Sequence, residues 1–514
     1  MEYSKKLFCF SLIYRQCVDF FIFKVRIMDI FRFTYASMAA LVFSSTVIAQ
    51  QPSNPLPATA RTALARAKVP PEALSALVLD VQGNAAPRLA WRANAAVNPA
   101  SVMKLVTTYV ALDVLSPAFV WDTPVYVDAV PQGGKLRGNV YIEGRGDPKL
   151  VVERLWLLLR RLRAQGIETI EGDIVLDRSA FSTAAHNAAL FDGEPWRPYN
   201  VAPDALLLNF NAVVMEFVPD AAAGVAHVQY TPPLAGIHLP ATVPLLPSHT
   251  AAGKTCGDWR STLGANFADA TRIAFSGKYP QACGTRQWAV ALAEPRRFAA
   301  RAIAGMWRAL GGQLAGSVRE GQVPPGLQAI FHTSSPTLAE VARDINKYSN
   351  NVMAQQVFLT LGLQHSGSGS QDAARALLGE WWSQRIGADA PLVIDNGSGL
   401  SRQARITAQG LARMLRSAWA SPVMPELLAS LPMAGVDGTL RRSQSRVARG
   451  KGKAGSAAAH LKTGTLRDVT ALAGYIHATS GRRYALVAII NHPNAVAARP
   501  ALEALVDWAA ADGQ

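Results

Sequence analysis

Three short stretches of this 514-residue chain hold residue types that could do covalent chemistry. In "NPASVMKLVTT" a serine, Ser101, precedes a lysine, Lys104, by one helical turn. A serine hydroxyl is a poor nucleophile until a base takes its proton. At that spacing on a helix the two side chains share a face. A lysine enclosed away from water has its charged form disfavoured and can serve as a base near neutral pH. In "YSNN" the spacing of Ser349 and Asn351 cannot share a helix face. It suits a loop between a helix ending near Lys347 and another starting near Val352, where a hydroxyl and an amide can both face a cleft. In "HLKTGTL" Lys462, Thr463 and Thr465 would set a cation and hydroxyls along a strand edge, and Gly464 would let a ligand approach the backbone. Taken singly, each stretch reads first as something plainer: a surface lysine, a polar turn between helices, a strand with a lysine.

Regular elements must carry these residues. Asn98 and Pro99 are N-cap and first-turn signals for a helix running to Leu115, and Val102, Met103, Val106, Val110 and Leu115 recur at helical spacing. Strand-like runs precede it at Ala73–Gly83 and Pro87–Asn94. Helical periodicity returns over Ser335–Gly362, with Ser335, Pro336 and Glu340 as start signals, and again near Ala373–Arg385 and Thr407–Ala420. The chain closes with the strand-like runs "HLKTGTL", "ALAGYIHA" and "RYALVAIINH" and the helical "RPALEALVDWAAA". Strands at both ends with helices between them predict one α/β (α+β) domain in two parts, residues 58–120 and 329–514. Residues 121–328 read as short strands, turns and prolines around one clear helix, "VVERLWLLLRRLRAQG". They form a β-rich insertion of domain size. Within it, "TPPLAGIHLPATVPLLPSH" is too proline-rich for a helix or a central strand.

Composition narrows the function classes. Half of the residues are hydrophobic, enough to bury a large core, and the formal net charge is +15. The basic residues are scattered, with no RNA-binding signature or zinc-finger spacing, so a nucleic-acid partner is not expected. An anionic cell wall suits the charge equally well. Residues 1–49 read as a leader. From Met28, the alternative start, a basic residue, an apolar stretch and small residues at Val47 and Ala49 form an export signal cleaved after Ala49. The apolar run is shorter than the ~20 residues a membrane span needs, so no stable anchor is expected. Cys9 and Cys17 fall in the leader, which leaves Cys256 and Cys283 to pair as a structural staple in an exported protein.

Together and in this order, Ser-x-x-Lys, Ser-x-Asn and Lys-Thr-Gly resemble the signature of the penicillin-binding and serine β-lactamase superfamily. The gap between Ser101 and Ser349 is far wider than in β-lactamases. "YSNNVMAQQVFLTLG", "DNGSGLSR" (Asp395–Arg402), "PMAGVDGTL" (Pro432–Leu440) and "LKTGTLRDVTALAGY" are similar to the D-alanyl-D-alanine carboxypeptidase/endopeptidase family, peptidase family S13. These are the class C penicillin-binding proteins of low molecular mass. The resemblance covers nearly all of the chain after the leader and is weakest in the insertion, which in this family forms two small extra domains. It implies that Ser101 attacks the D-Ala-D-Ala carbonyl while Lys104 takes its proton. Ser349 would relay a proton to the leaving amine, and Asn351 would bond the substrate amide and help place Lys104. Lys462, Thr463 and Thr465 would hold the terminal carboxylate, and the N–H groups of Ser101 and Thr465 would form the oxyanion hole. The implied partners are peptidoglycan stem peptides and cross-links in the periplasm, with β-lactams as covalent inhibitors. No metal or cofactor is implied, and the oligomeric state is left open. Some family members hold the free amine of the peptide side chain with a Trp-containing stretch and an acidic residue. The chain departs from that pattern; the nearest stretch is "DGEPWRPYN", with Trp196, Arg197 and Asn200, and Asp192, Glu194 or Asp204 as candidates for the charge.

Two other readings compete. A β-lactamase needs fast deacylation, and the nearest glutamate, Glu426 in "PELLAS", lacks the asparagine four residues on. A non-catalytic wall-binding protein of the same fold has no reason to keep all of Ser101, Lys104, Ser349, Asn351 and Lys462. The chain has no Gly-x-Ser-x-Gly and no His-Glu-x-x-His, which argues against a Ser-His-Asp hydrolase and a zinc endopeptidase.

Overall fold

The computed structural model describes residues 55–184, 186–248, 254–450 and 458–512; the expected leader, with Met28 and the cleavage point at Ala49, lies outside them. Strands from the two ends of the chain meet in one five-stranded sheet, in the order Leu89–Trp91, Leu74–Asp80, Arg483–Asn491, Val469–His477, Ala458–Leu466. Every neighbouring pair is antiparallel. Side chains alternate across a strand, and here both faces are apolar. Ala485, Val487 and Ile489 pack with Val102, Leu105 and Leu411 in the helical core. Leu486, Ala488 and Ile490 pack with Leu64, Leu502 and Leu505 from the helices Ala58–Arg66 and Arg499–Ala510. Helices on both sides explain why "RYALVAIINH" is a near-continuous apolar run, where a half-solvated antiparallel strand would alternate.

The run Asn98–Leu115 opens more tightly than an α-helix. A 3-10 turn, Ala100–Met103, leads into the α-helix Lys104–Leu115. Pro99, not Asn98, stands at the cap position of the turn, without a side-chain cap bond, and Asn98 Oδ1 accepts from the Ala100 N–H (2.9 Å). The α-helix is buried from Lys104 through Leu112, as a helix apolar on all sides must be. The helices Leu338–Tyr348 and Asn351–Ser366 follow the expected break. Their start signal differs from the expected one: Thr337 and Glu340 form a capping box, whereas the Ser335 hydroxyl accepts from the Trp121 N–H (2.9 Å).

Two further five-stranded sheets lie between these helices in sequence. One contains Ile174–Asp177, Val140–Glu143 and Asp122–Val127, with Ala329–Ser334 at its edge; the chain therefore stays in this sheet past residue 328. The other is centred on Val225–Thr231 and Ala212–Asp220 and shares an apolar core with the helices Val152–Ala164 and Pro295–Ala309. The second of those helices was not anticipated, although Phe298, Ala302, Ile303 and Met306 carry its buried stripe. The proline-rich segment also differs from expectation. Thr242–Leu246 is a strand between two others, and Pro244 is tolerated because the short strand Tyr279–Pro280 pairs only with Leu245 and Leu246 beyond it. A disulfide joins Cys256 to Cys283. Among the described residues no helix is long and apolar enough to cross a membrane.

Leu486 has no exposed surface in the central sheet. Leu486→Ala is expected to cost about 3 kcal/mol, read as a lower midpoint in urea denaturation.

Candidate active site

Lys104 is the first residue of its α-helix and has no exposed surface. Its amine donates to Asn351 Oδ1 (2.6 Å) and to the Ser398 carbonyl (2.6 Å), and lies 3.0 Å from Ser101 Oγ. The first two partners can only accept. A neutral amine has two N–H donors and one lone pair, so those two acceptors take both donors and the lone pair faces the serine hydroxyl. Burial, and then the charge of Lys462, hold the Lys104 amine well below the ordinary lysine value. Asn351 is fixed from behind, since its Nδ2 donates to the Tyr199 carbonyl (3.0 Å) and this directs Oδ1 at the lysine.

Ser349 terminates the helix Leu338–Tyr348 in a left-handed conformation (φ +58°), which turns its side chain away from the helix. Its Oγ accepts from Lys462 Nζ at 2.8 Å, and the same amine donates to the Thr463 carbonyl (2.7 Å). Lys462 is also fully buried, and burial brings its amine down to about 7. The strand Ala458–Leu466 runs beside the serine turn. A Cβ at Gly464 would stand 2.6 Å from the Pro99 carbonyl and 3.2 Å from the Ser101 N. The chain's own turn makes a close approach at this glycine. Ser101, Ser349, Asn351 and Thr465 share a cleft of about 770 Å³. Thr463 is turned to Thr439, with the hydroxyls 2.8 Å apart.

Comparisons with known proteins give the family. Residues 62–512 match the model of the D-Ala-D-Ala carboxypeptidase 3 (S13) family. The chain belongs to the S13 family. It is 30% identical to a D-alanyl-D-alanine carboxypeptidase of Actinomadura sp. over 74% of this chain and 71% of that protein. It is 26% identical to the D-alanyl-D-alanine carboxypeptidase DacB of Haemophilus influenzae over 76% of this chain and 80% of that one. In fold it is similar to the crystal structure of penicillin-binding protein 4 from Haemophilus influenzae. That match has a TM-score of 0.64 at 23% identity and covers 84% of this chain and 96% of the other. A second structure of that protein holds a β-lactam and matches with a TM-score of 0.61 at 22% identity.

The structure of this S13 member also places residues that the motifs did not reveal. The backbone carbonyls of Ser398 and Tyr199 fix the Lys104–Asn351 pair, and a carbonyl leaves no residue-type signal. "DNGSGLSR" was the available hint for Ser398. Among the three acidic candidates near "DGEPWRPYN", only Asp192 lines the cleft. Glu194 pairs with Arg197 (3.3 Å), Asp204 with Arg178 (2.8 Å), and Trp196 packs against the insertion core. Burial works against ionisation of Asp192, but bonds from Asn200 and Tyr199 outweigh it and hold the carboxyl below its ordinary value. Glu426, on the helix Met424–Ser430, does not line the cleft.

Asn351→Asp would put a carboxylate where a neutral oxygen now lies 2.6 Å from the Lys104 amine. The lysine's pKa rises, so at a pH on the acid limb its neutral fraction falls and acylation by a β-lactam slows, by about tenfold per unit of rise. The acid limb of the acylation rate is expected to move to higher pH. A limb that stays in place would show that Asn351 does not tune the amine.

Proposed function

We propose that the protein is a serine-type D-Ala-D-Ala carboxypeptidase, with endopeptidase activity on cross-linked muropeptides, acting on peptidoglycan in the periplasm. The observation that carries this reading is the buried Lys104 amine, whose two fixed acceptors leave one direction free, toward Ser101 Oγ. Ser101 Oγ attacks the carbonyl carbon of the penultimate D-alanine as its proton passes to Lys104 Nζ. The developing oxyanion is met by the N–H groups of Ser101 and Thr465. The amine of the departing D-alanine receives a proton through Ser349, which is held by Lys462. Lys462 is the cation for the terminal carboxylate, with Thr463 and Thr465 as hydroxyl partners. Water then hydrolyses the acyl-enzyme, and the same base can activate it. A β-lactam presents a similar amide and carboxylate, so it acylates Ser101 and is released slowly.

The charged Asp192 offers a seat for a free amine on the peptide side chain. The net charge of +15 favours retention on an anionic wall, and the Cys256–Cys283 bond suits an oxidising compartment.

Labelling with a fluorescent penicillin tests the assignment. Wild type is expected to be labelled and to release D-alanine, and Ser101→Ala to do neither; equal labelling of the two proteins would refute it. Digestion of cross-linked muropeptides then measures the endopeptidase activity. The pH dependence is a second test. Lys104 must be neutral to accept a proton, so kcat/KM falls as pH drops through its lowered pKa. Lys462 must be charged to hold the carboxylate, so kcat/KM also falls as pH rises past about 7. Bound substrate sets an anion beside Lys462, which moves the alkaline limb of kcat above that of kcat/KM.

A further inference from the structure

The mechanism leaves the segment Pro432–Leu440 without a task, yet this segment is built against two of the motifs. It borders Ala458–Leu466, the edge strand of the central sheet. The Ala434 N–H donates to the Ala459 carbonyl and the Leu461 N–H to the Pro432 carbonyl, both at 2.9 Å. The chain then turns through Asp437 and Gly438 and brings Thr439 Oγ1 to 2.8 Å from Thr463 Oγ1. An ion pair fixes the turn. Lys347 Nζ reaches Asp437 Oδ2 (2.6 Å) and the Leu431 carbonyl (2.6 Å), while Asp437 Oδ1 accepts from the Met433 N–H (2.9 Å). The lysine side chain is 9% exposed and the aspartate 37%, so the pair is shielded on the lysine side. Gly438 has φ +53°, and a Cβ there would come within 2.5 Å of the Lys347 carbonyl. Only glycine lets the turn sit this close to the helix end. Lys347 belongs to the last turn before Ser349. One ion pair thus ties the helix end that carries Ser349 to the turn that carries Thr439, and Thr439 abuts the strand that carries Lys462 and Thr463.

We propose that Thr439 is a positioning residue for the terminal carboxylate of the substrate, acting through Thr463, and that the Lys347–Asp437 pair holds it there. The inference rests on the carboxypeptidase reading. A carboxylate only accepts hydrogen bonds, so Thr463 must turn its O–H toward it. Thr463 Oγ1 is then left with lone pairs on the side facing Thr439, whose O–H donates into them at the distance already in place. Two hydroxyls aligned in this way polarise each other in favour of the anion. The contact therefore supports carboxylate binding and has no part in the transfer of protons at Ser101.

Thr439→Val and Thr439→Ser are compared with wild type on an N-acylated peptide ending in D-Ala-D-Ala and on its C-terminal amide, which lacks the carboxylate. Valine keeps the shape and removes the donor, and Thr439 is exposed, so thermal midpoints are expected to match wild type. The ratio of kcat/KM for acid over amide is expected to fall about tenfold in the valine variant, mainly through KM, and to recover in the serine variant. Asp437→Asn, which loosens the turn without altering Thr439, is expected to lower the same ratio. An unchanged ratio in Thr439→Val, or a serine variant as impaired as the valine one, would overturn the role of Thr439. An unchanged ratio in Asp437→Asn would overturn the role of the ion pair. A wild type that releases neither D-alanine from the acid nor D-alaninamide from the amide would overturn the carboxypeptidase reading, and this inference with it.

Discussion

An amine sealed from water without a counter-ion is the condition on which the site depends. Taking a lysine charge out of water costs several kcal/mol unless an opposite charge accompanies it. The groups within bonding reach of Lys104 Nζ are a hydroxyl, an amide oxygen and a backbone carbonyl, none of them anionic. The second lysine, Lys462, adds its own charge to the argument against protonation. The fold meets this condition by running the helix Lys104–Leu115 through the core, so that its first residue is as buried as its apolar ones. An aspartate at either side-chain partner, Ser101 or Asn351, would remove the reason for the amine to be neutral.

Two positions of backbone strain lie beside the same groups. Ala100 and Ser349 have φ of +48° and +58°, a region that residues other than glycine enter only when surrounding structure holds them. For Ala100 the hold is a reciprocal pair: the Asn98 N–H donates to Asn491 Oδ1 (2.8 Å), and Asn491 Nδ2 donates to the Asn98 carbonyl (2.9 Å). The last residue of the strand Arg483–Asn491 thereby anchors the turn that presents the nucleophile. A single-residue distortion at Ala100 is stabilised by a strand nearly four hundred positions away in the chain.

Much of this was legible because the chemistry is carried by residue types. Ser101, Lys104, Ser349, Asn351 and Lys462 stand out by identity and spacing, and the helices and strands that bear them follow apolar periodicity. The strands of the central sheet could be read from their apolar runs, while the helices covering both faces were seen only in the structure. What stayed hidden is carried by backbone atoms or by local geometry. Ser398 and Tyr199 act through carbonyls that every residue possesses. The helix Pro295–Ala309 was obscured by the arginines spread along it, which mask a stripe made partly of alanines. Thr242–Leu246 was judged by its prolines, when the length of the neighbouring strand decided whether a missing N–H mattered.

The hydrogen bond from Asn351 to Tyr199 has a consequence for how the chain could have been assembled. Tyr199 lies in sequence between the helices Lys104–Leu115 and Leu338–Tyr348, far from either motif it serves, yet its carbonyl sets which end of the Asn351 amide faces the base. If that carbonyl were withdrawn, the amide could rotate by half a turn and present a donor to an amine that needs an acceptor. The residues between those two helices therefore take a direct part in the site. A shorter relative without Tyr199 would have to find another oxygen for the same amide, or rely on a different group to keep its lysine uncharged.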